Sequence, residues 1–349
     1  MTRFALLALG LLTAPVRAAA PAPPKEGTPC TASENLLTIP GKWTHRPDVP
    51  RGSGIPPTAV QDVSKRIDRI GEVFRAAYPE PRGMEAGGYR DLDASPLVQN
   101  GPYAYSFRSL YRAWYCNPNT HKLLIGGETA TWAYAFVNQL NWFAEPLKTL
   151  KVGGQTAFLL TRRVGTFRGL PFYEGIHNQT SNTGTTFSRA ILVGRSGRSP
   201  LKPVTRRQFL EAYIAATQAQ LDPMLADIER SGLDTSKKAA VAEQRRDQIS
   251  KMQAPARARL SAMSPAEGEQ PALLAPSSIV QFKDFTPEAN GGRALVKLDP
   301  TYFDPKPPKA APQFIVVYWR WQKSVPSENF KNEFERRFDP SALNALFDK

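Results

Sequence analysis

The chain has 349 residues, 45 Lys and Arg against 31 Asp and Glu, and a formal net charge of +14. Two cysteines and three histidines lie too far apart in sequence to show the spacing of a structural zinc site, and past the N-terminus no apolar run approaches the roughly 20 residues that span a bilayer. The length allows one large domain or two modest ones, and the basic balance points to anionic partners.

Residues 1–20 read as a signal peptide. Arg3 supplies a short positive region, Phe4–Leu12 a short apolar core, and Ala14 to Ala20 the small residues for cleavage after Ala18 or Ala20. The mature protein is expected to be exported, periplasmic or secreted, and the Ala-rich cleavage region is of bacterial type. In an oxidising compartment Cys30 and Cys116 read as one disulfide. The alternative is Cys116 as a nucleophile with His121 or His177 as its base.

Residues 21–57 form an irregular Pro-rich arm, pinned to the body by Trp43 and Ile55. In the α+β region 58–204, Val60, Val63, Ile67, Ile70 and Phe74 recur at helical spacing between charged residues, which predicts an amphipathic helix ended by Pro79 and Pro81. The alternation of Tyr103, Tyr105, Phe107, Ser109 and Tyr111 then predicts a strand. Further strands are expected at His121–Ile125, Thr129–Phe136 (continuing toward Trp142), Gln155–Arg162, Phe167–Tyr173 and Ala190–Val193.

Thr205, with Gln208 three residues on, is a capping box and opens a helix carrying Phe209, Leu210, Tyr213, Ile214 and Leu221. A second, more polar helix over Ser236–Gln253 completes an αα-hairpin, 205–262, with Pro255 ending or kinking it. Residues 263–278 read as a Pro/Ala/Glu linker. The segment 279–349 returns to strands at Ser278–Phe285, Arg293–Leu298 and Pro312–Gln322, then to a helix with Phe330, Phe334 and Phe338 on one face. The fold class is therefore α+β: an antiparallel sheet packed on an N-terminal helix, with an inserted αα-hairpin and a C-terminal strand and helix segment that completes the same domain.

No metalloprotease, nucleophile-elbow, Walker A or dinucleotide fingerprint is present, and no cofactor or metal is expected. Glu174 and His177 have Glu-x-x-His spacing, but Gly169, Pro171 and Gly175 argue against the helix that would put them on one face. Between Lys151 and Arg207, Arg162, Arg163, Arg168, Arg189, Arg195, Arg198, Arg206 and Arg207 accompany a single acid, Glu174. This cluster predicts an anion-binding face; its bland counterpart is a set of arginines paired with acids from elsewhere. Tyr103, Tyr105, Tyr111, Trp114, Tyr115, Trp132, Tyr134, Trp142, Trp319 and Trp321 are either core residues or a sugar-stacking platform. Taken together, the sequence points to a non-catalytic exported protein that binds an anionic envelope glycan or a protein partner, with nucleic acid unlikely in that compartment. The alternative is a secreted hydrolase of carbohydrate or cell-wall polymer using Glu174 and His177.

Overall fold

The structure, a computed structural model, describes residues 25–31, 33–45, 55–92, 96–98, 100–127, 130–181 and 184–347. The signal segment 1–20 lies outside them. In chain order the elements are β1 (Trp43–His45), α1 (Pro57–Ala77), β2 (Met84–Asp91), β3 (Tyr105–Cys116), β4 (Leu123–Ile125), β5 (Thr131–Val137), β6 (Ala144–Val152) and β7 (Gln155–Leu160). Next come β8 (Arg163–Phe167), β9 (Leu170–Glu174), β10 (Gln179–Ser181), β11 (Gly184–Gly194) and β12 (Leu201–Pro203). The chain then forms α2 (Arg206–Ala219), α3 (Leu221–Arg230), α4 (Thr235–Ala262), α5 (Pro265–Gly268), β13 (Leu273–Leu274), β14 (Arg293–Leu298), β15 (Phe314–Gln322) and α6 (Val325–Arg337).

The fold is α+β, with α1 packed on a mainly antiparallel sheet in the order β1-β2-β3-β5-β15-β11-β9-β8. Here β1 runs parallel to β2, β4 pairs with β3, and β10 pairs with β11. A second antiparallel sheet has the order β12-β14-β7-β6, with β13 beside β14. The C-terminal β15 lies between β5 and β11, so the last segment supplies a central strand of the main sheet.

Strand alternation sorts these residues into layers. On one face of the main sheet Tyr105, Phe107, Tyr111, Ala133, Ala135, Ile315, Val317 and Trp319 pack against Ile67, Ile70 and Phe74 of α1 and Phe330 and Phe334 of α6. Each fully buried Ile, Val or Phe among them contributes about 1.5–3 kcal/mol. On the other face Phe136, Ala190, Val316 and Tyr318 meet Leu160 and Val296 of the second sheet. The far side of the second sheet, with Ala157, Leu159 and Leu295, buries Phe209, Leu210 and Tyr213 of α2 and Ala256 of α4. The order of layers is helix, sheet, sheet, helical hairpin.

Both halves of the Thr205–Gln208 capping box are present. The first helix of the hairpin breaks at Gln220 into α2 and α3. The second arm, α4, runs through Pro255 to Ala262. Proline removes one intrahelical hydrogen bond there, but Gln253 beside it is buried and donates from Nε2 to the Ile214 carbonyl (3.2 Å) and to Thr217 Oγ1 (3.1 Å), which anchors the helix across the proline. Residues 263–278, expected as a linker, are folded in: Ser264 caps α5, and Ala272 and Leu274 are fully buried. Ser278–Phe285 forms turns and extended chain rather than a strand, with Phe282 packed against Phe209.

Cys30 and Cys116 form a disulfide. Cys116 is therefore not a thiol, and the nucleophile alternative with His121 or His177 falls. The bond ties the arm to β3, beside a small cluster of Ile39, Trp114 and Leu123. In the chain-entropy picture an 86-residue separation corresponds to about 4–5 kcal/mol. Ile55 is buried in the main core, and Trp43 Nε1 donates to the Tyr78 carbonyl (2.8 Å). Among the described residues no helix is long and apolar enough to cross a membrane.

Candidate ligand-binding site

The second sheet covers only part of the main sheet. Over β2, β3 and the start of β5 the same face is left with a cleft of about 460 Å³, lined by Glu85, Tyr89, Leu110, Arg112, Trp132 and Tyr134 among others. Register places these side chains in rows across the strands. Tyr89 pairs with Arg108, Arg108 with Tyr134, and Tyr134 with Tyr318; one row along, Leu110 pairs with Trp132 and Trp132 with Arg320. Adjacent strands lie about 4.8 Å apart, so aromatic rings and guanidinium groups alternate at contact distance. Gly87 makes room for one ring, since a Cβ there would lie 3.0 Å from Tyr89 Cε2.

The arginines of this face stand in different electrostatic settings. Arg112 Nη2 donates to Glu85 Oε2 (2.9 Å). Arg108 lies over the Tyr89 ring at 5.4 Å and is the register partner of Tyr134. Arg320 lies over the Trp132 ring at 4.4 Å, has no ion-pair partner among the described residues, and leaves its buried Nε without a hydrogen bond. Burial disfavours its charge and lowers its pKa from the ordinary arginine value. A half-buried cation with no compensating acid is costly unless an anion completes it.

One wall of the site is aromatic. Trp142, from the turn after β5, packs edge-on to Tyr134 (4.6 Å between centroids), Tyr318 (5.0 Å) and His177 (4.9 Å) and tilts against Trp132 (5.5 Å). Its φ of 59° is left-handed, a conformation costing of order 1–3 kcal/mol for a bulky residue unless the surroundings enforce it. Asn138, also at positive φ, anchors the start of the same turn: its Oδ1 accepts from Gln313 N (2.7 Å) and its Nδ2 donates to the Tyr103 carbonyl (2.8 Å). Strain at an aromatic wall fits a side chain held in place for contact with a ligand.

His177 enters the same wall from the segment after β9. Its Nδ1 is 2.6 Å from Tyr318 Oη, and Thr186 Oγ1 donates to its carbonyl (2.9 Å). Burial first, and the Arg320 charge second, hold its pKa below the ordinary histidine value, so it is neutral at pH 7. Gly175 lets this segment cross β11, because a Cβ at that position would lie 2.4 Å from both Ser188 Oγ and Tyr318 Cε2.

Glu174 does not join His177. By alternation it shares the face of β9 with Phe172, which packs on the helix side. It accepts two hydrogen bonds from Arg162, which hold its carboxyl below the ordinary glutamate value. A paired, low-pKa carboxylate is poorly suited to general acid work.

The eight arginines of the 162–207 region are distributed over the layers. Arg162 pairs with Glu174, Arg195 with Asp304 (2.9 Å), Arg206 with Glu267 (2.8 Å), and Arg163 approaches Glu288 at 4.0 Å. Arg168 donates to the Arg336 carbonyl (2.6 Å), Arg189 lies over Phe172 and Trp321 on the helix side, Arg198 lies over Tyr302, and Arg207 lies alongside Gly268 on the hairpin layer. Acids distant in sequence compensate several of them. Of the expected aromatics, Tyr105, Tyr111, Trp319 and Trp321 are core, whereas Trp132 and Tyr134 line the cleft and Trp142 packs against both. Sequence reasoning missed Tyr89, Arg108, Arg112 and Arg320. A local signal existed for Arg320, a lone charge between Trp319 and Trp321 in an otherwise apolar strand.

No protein-family model, curated protein or solved structure matches this chain.

Proposed function

We propose that the chain is an exported, non-catalytic binding protein whose cleft on the open face of the main sheet takes an anionic saccharide of the cell envelope or its surroundings. The observation that carries this reading is Arg320: a half-buried guanidinium laid over Trp132, with no acid partner among the described residues, at the edge of an aromatic floor. Aromatic faces stack on sugar rings, and guanidinium groups pair with carboxylate or phosphate. The disulfide and the signal-like N-terminus support export.

The test is calorimetric titration with a tetragalacturonate and with a phosphorylated oligosaccharide, across a salt series. The proteins are wild type, Arg320→Gln, and a variant with Arg162, Arg163, Arg206 and Arg207 changed to Glu. Arg320→Gln is expected to weaken binding roughly 10- to 100-fold, while the quadruple variant keeps most of its affinity. The opposite pattern would move the ligand to the 162–207 arginines and end the cleft reading.

A further inference from the structure

We propose, resting on the cleft reading above, that His177 is a second, protonation-dependent contact for the anion held by Arg320, so that the cleft binds its ligand more tightly in acid. The geometry behind this begins with a shared neighbour. Arg320 lies over the Trp132 ring at 4.4 Å, and the His177 ring stands edge-on to the same indole at 5.8 Å. Ser188 is the register partner of Arg320, and the Gly175 N–H donates to the Ser188 carbonyl (3.0 Å). The loop bearing His177 is thus fastened to β11 at the position opposite Arg320.

The hydrogen bonds around the ring accommodate either protonation state. Ser188 Oγ donates to Asn178 Oδ1 (3.0 Å), which also accepts from Ser188 N (2.5 Å). Tyr318, fully buried, contacts His177 Nδ1 through its hydroxyl. In the neutral state the Tyr318 hydroxyl donates to His177 Nδ1, which fixes the remaining proton on Nε2. In the charged state Nδ1–H donates to Tyr318 Oη, whose own proton turns away from the ring. A rotation of one hydroxyl hydrogen satisfies the cation, and no heavy atom moves. In both states Nε2–H is a donor with no protein partner among the described residues.

The groups facing the ring are few. Tyr318 comes from β15, Trp132 from β5 and Trp142 from the turn after β5, with Arg320 of β15 as the neighbouring charge. Arg320 is the charge acting on His177, and it opposes protonation. An anion seated on Arg320 removes that opposition and adds a negative charge beside the imidazole. By linkage, whatever raises proton affinity in the complex makes ligand affinity rise as the proton binds. The sign follows: with the free-protein pKa below the ordinary 6.5 and the bound one higher, affinity is flat above both and grows as pH falls between them.

The experiment is titration of wild type, His177→Gln and Arg320→Gln with tetragalacturonate at pH 7.5 and pH 5, between which its carboxylates stay charged. Wild type is expected to bind roughly 3- to 10-fold more tightly at pH 5, a partial to full unit of proton linkage. His177→Gln should show no pH slope, whatever its affinity at pH 7.5. Binding that is pH-independent in wild type yet lost in Arg320→Gln would overturn the protonation-dependent contact and leave the cleft reading standing. A slope that persists in His177→Gln would overturn it as well, and an absence of binding at either pH would overturn both.

Discussion

The two faces of β2, β3, β5 and β15 are built from alternate residues of the same strands and end in opposite environments. Toward the helices, Tyr111, Ala133, Ala135, Val317 and Trp319 are almost fully buried, and Trp319 satisfies its one polar atom by donating from Nε1 to Glu335 Oε1 (3.0 Å). Toward the cleft, Arg108, Leu110, Arg112, Trp132, Tyr134 and Arg320 are half-buried, with polar atoms that the protein leaves incompletely matched. The first face is organised to hold the sheet together. The second carries aromatic area and charge beyond what packing needs, and the proposed ligand-binding role rests on that surplus.

That contrast breaks most sharply on the helix face. Phe334 is fully buried and stacks among Phe74, Trp319, Phe330 and Phe338. Phe334→Ala is expected to cost about 3–5 kcal/mol in urea unfolding, with the affinity of the folded fraction unchanged. On the cleft face Arg320→Gln should do the reverse. Binding falls, while unfolding stability stays within about 1 kcal/mol of wild type or rises slightly, since an uncompensated half-buried charge is removed. Equal stability losses from the two substitutions would erase the distinction between the faces.

The smallest expected effect lies off both faces. Glu174→Gln breaks a pair whose arginine is half exposed (51%), so the loss should be below about 1 kcal/mol at neutral pH, with no change in ligand binding. Because the Glu174 pKa is depressed in the folded state, its contribution is present above the ordinary carboxylate range and is lost as pH falls through the lowered value. The gap between wild type and Glu174→Gln should therefore close in acid.

Much of the fold was legible locally. The α1 stripe, the Thr205–Gln208 box and the apolar β15 each carry their signal within a dozen residues. Two strands were harder, β6 of the second sheet and β2 of the main one. Strand β6 interrupts its apolar residues with Glu145, Lys148 and Lys151, and β2 contains Gly87 and Gly88, so neither resembles an isolated strand; tertiary pairing decides them. Residues 263–278 have linker composition, yet Ala272 and Leu274 fill space beneath α2, a constraint that no local pattern expresses. For the site, the alternation through Tyr105–Tyr111 and Thr131–Phe136 announced strands and could not announce which face the second sheet leaves open. The arginine cluster was conspicuous in sequence, but Asp304, Glu267 and Glu288 reach it from distant parts of the chain, whereas Arg320 stands between two tryptophans in sequence and lacks an acid partner among the described residues.

Hydroxyl-radical footprinting with saturating tetragalacturonate tests the central claim most directly, because it locates the ligand without altering the protein. The account predicts protection of Trp132, Trp142, Tyr134 and Tyr89, with Tyr115, which is exposed and outside the cleft, labelled as in the free protein. Protection of Tyr115, or of Phe167 and Phe172 beside the 162–168 arginines, with the cleft aromatics unchanged would contradict it.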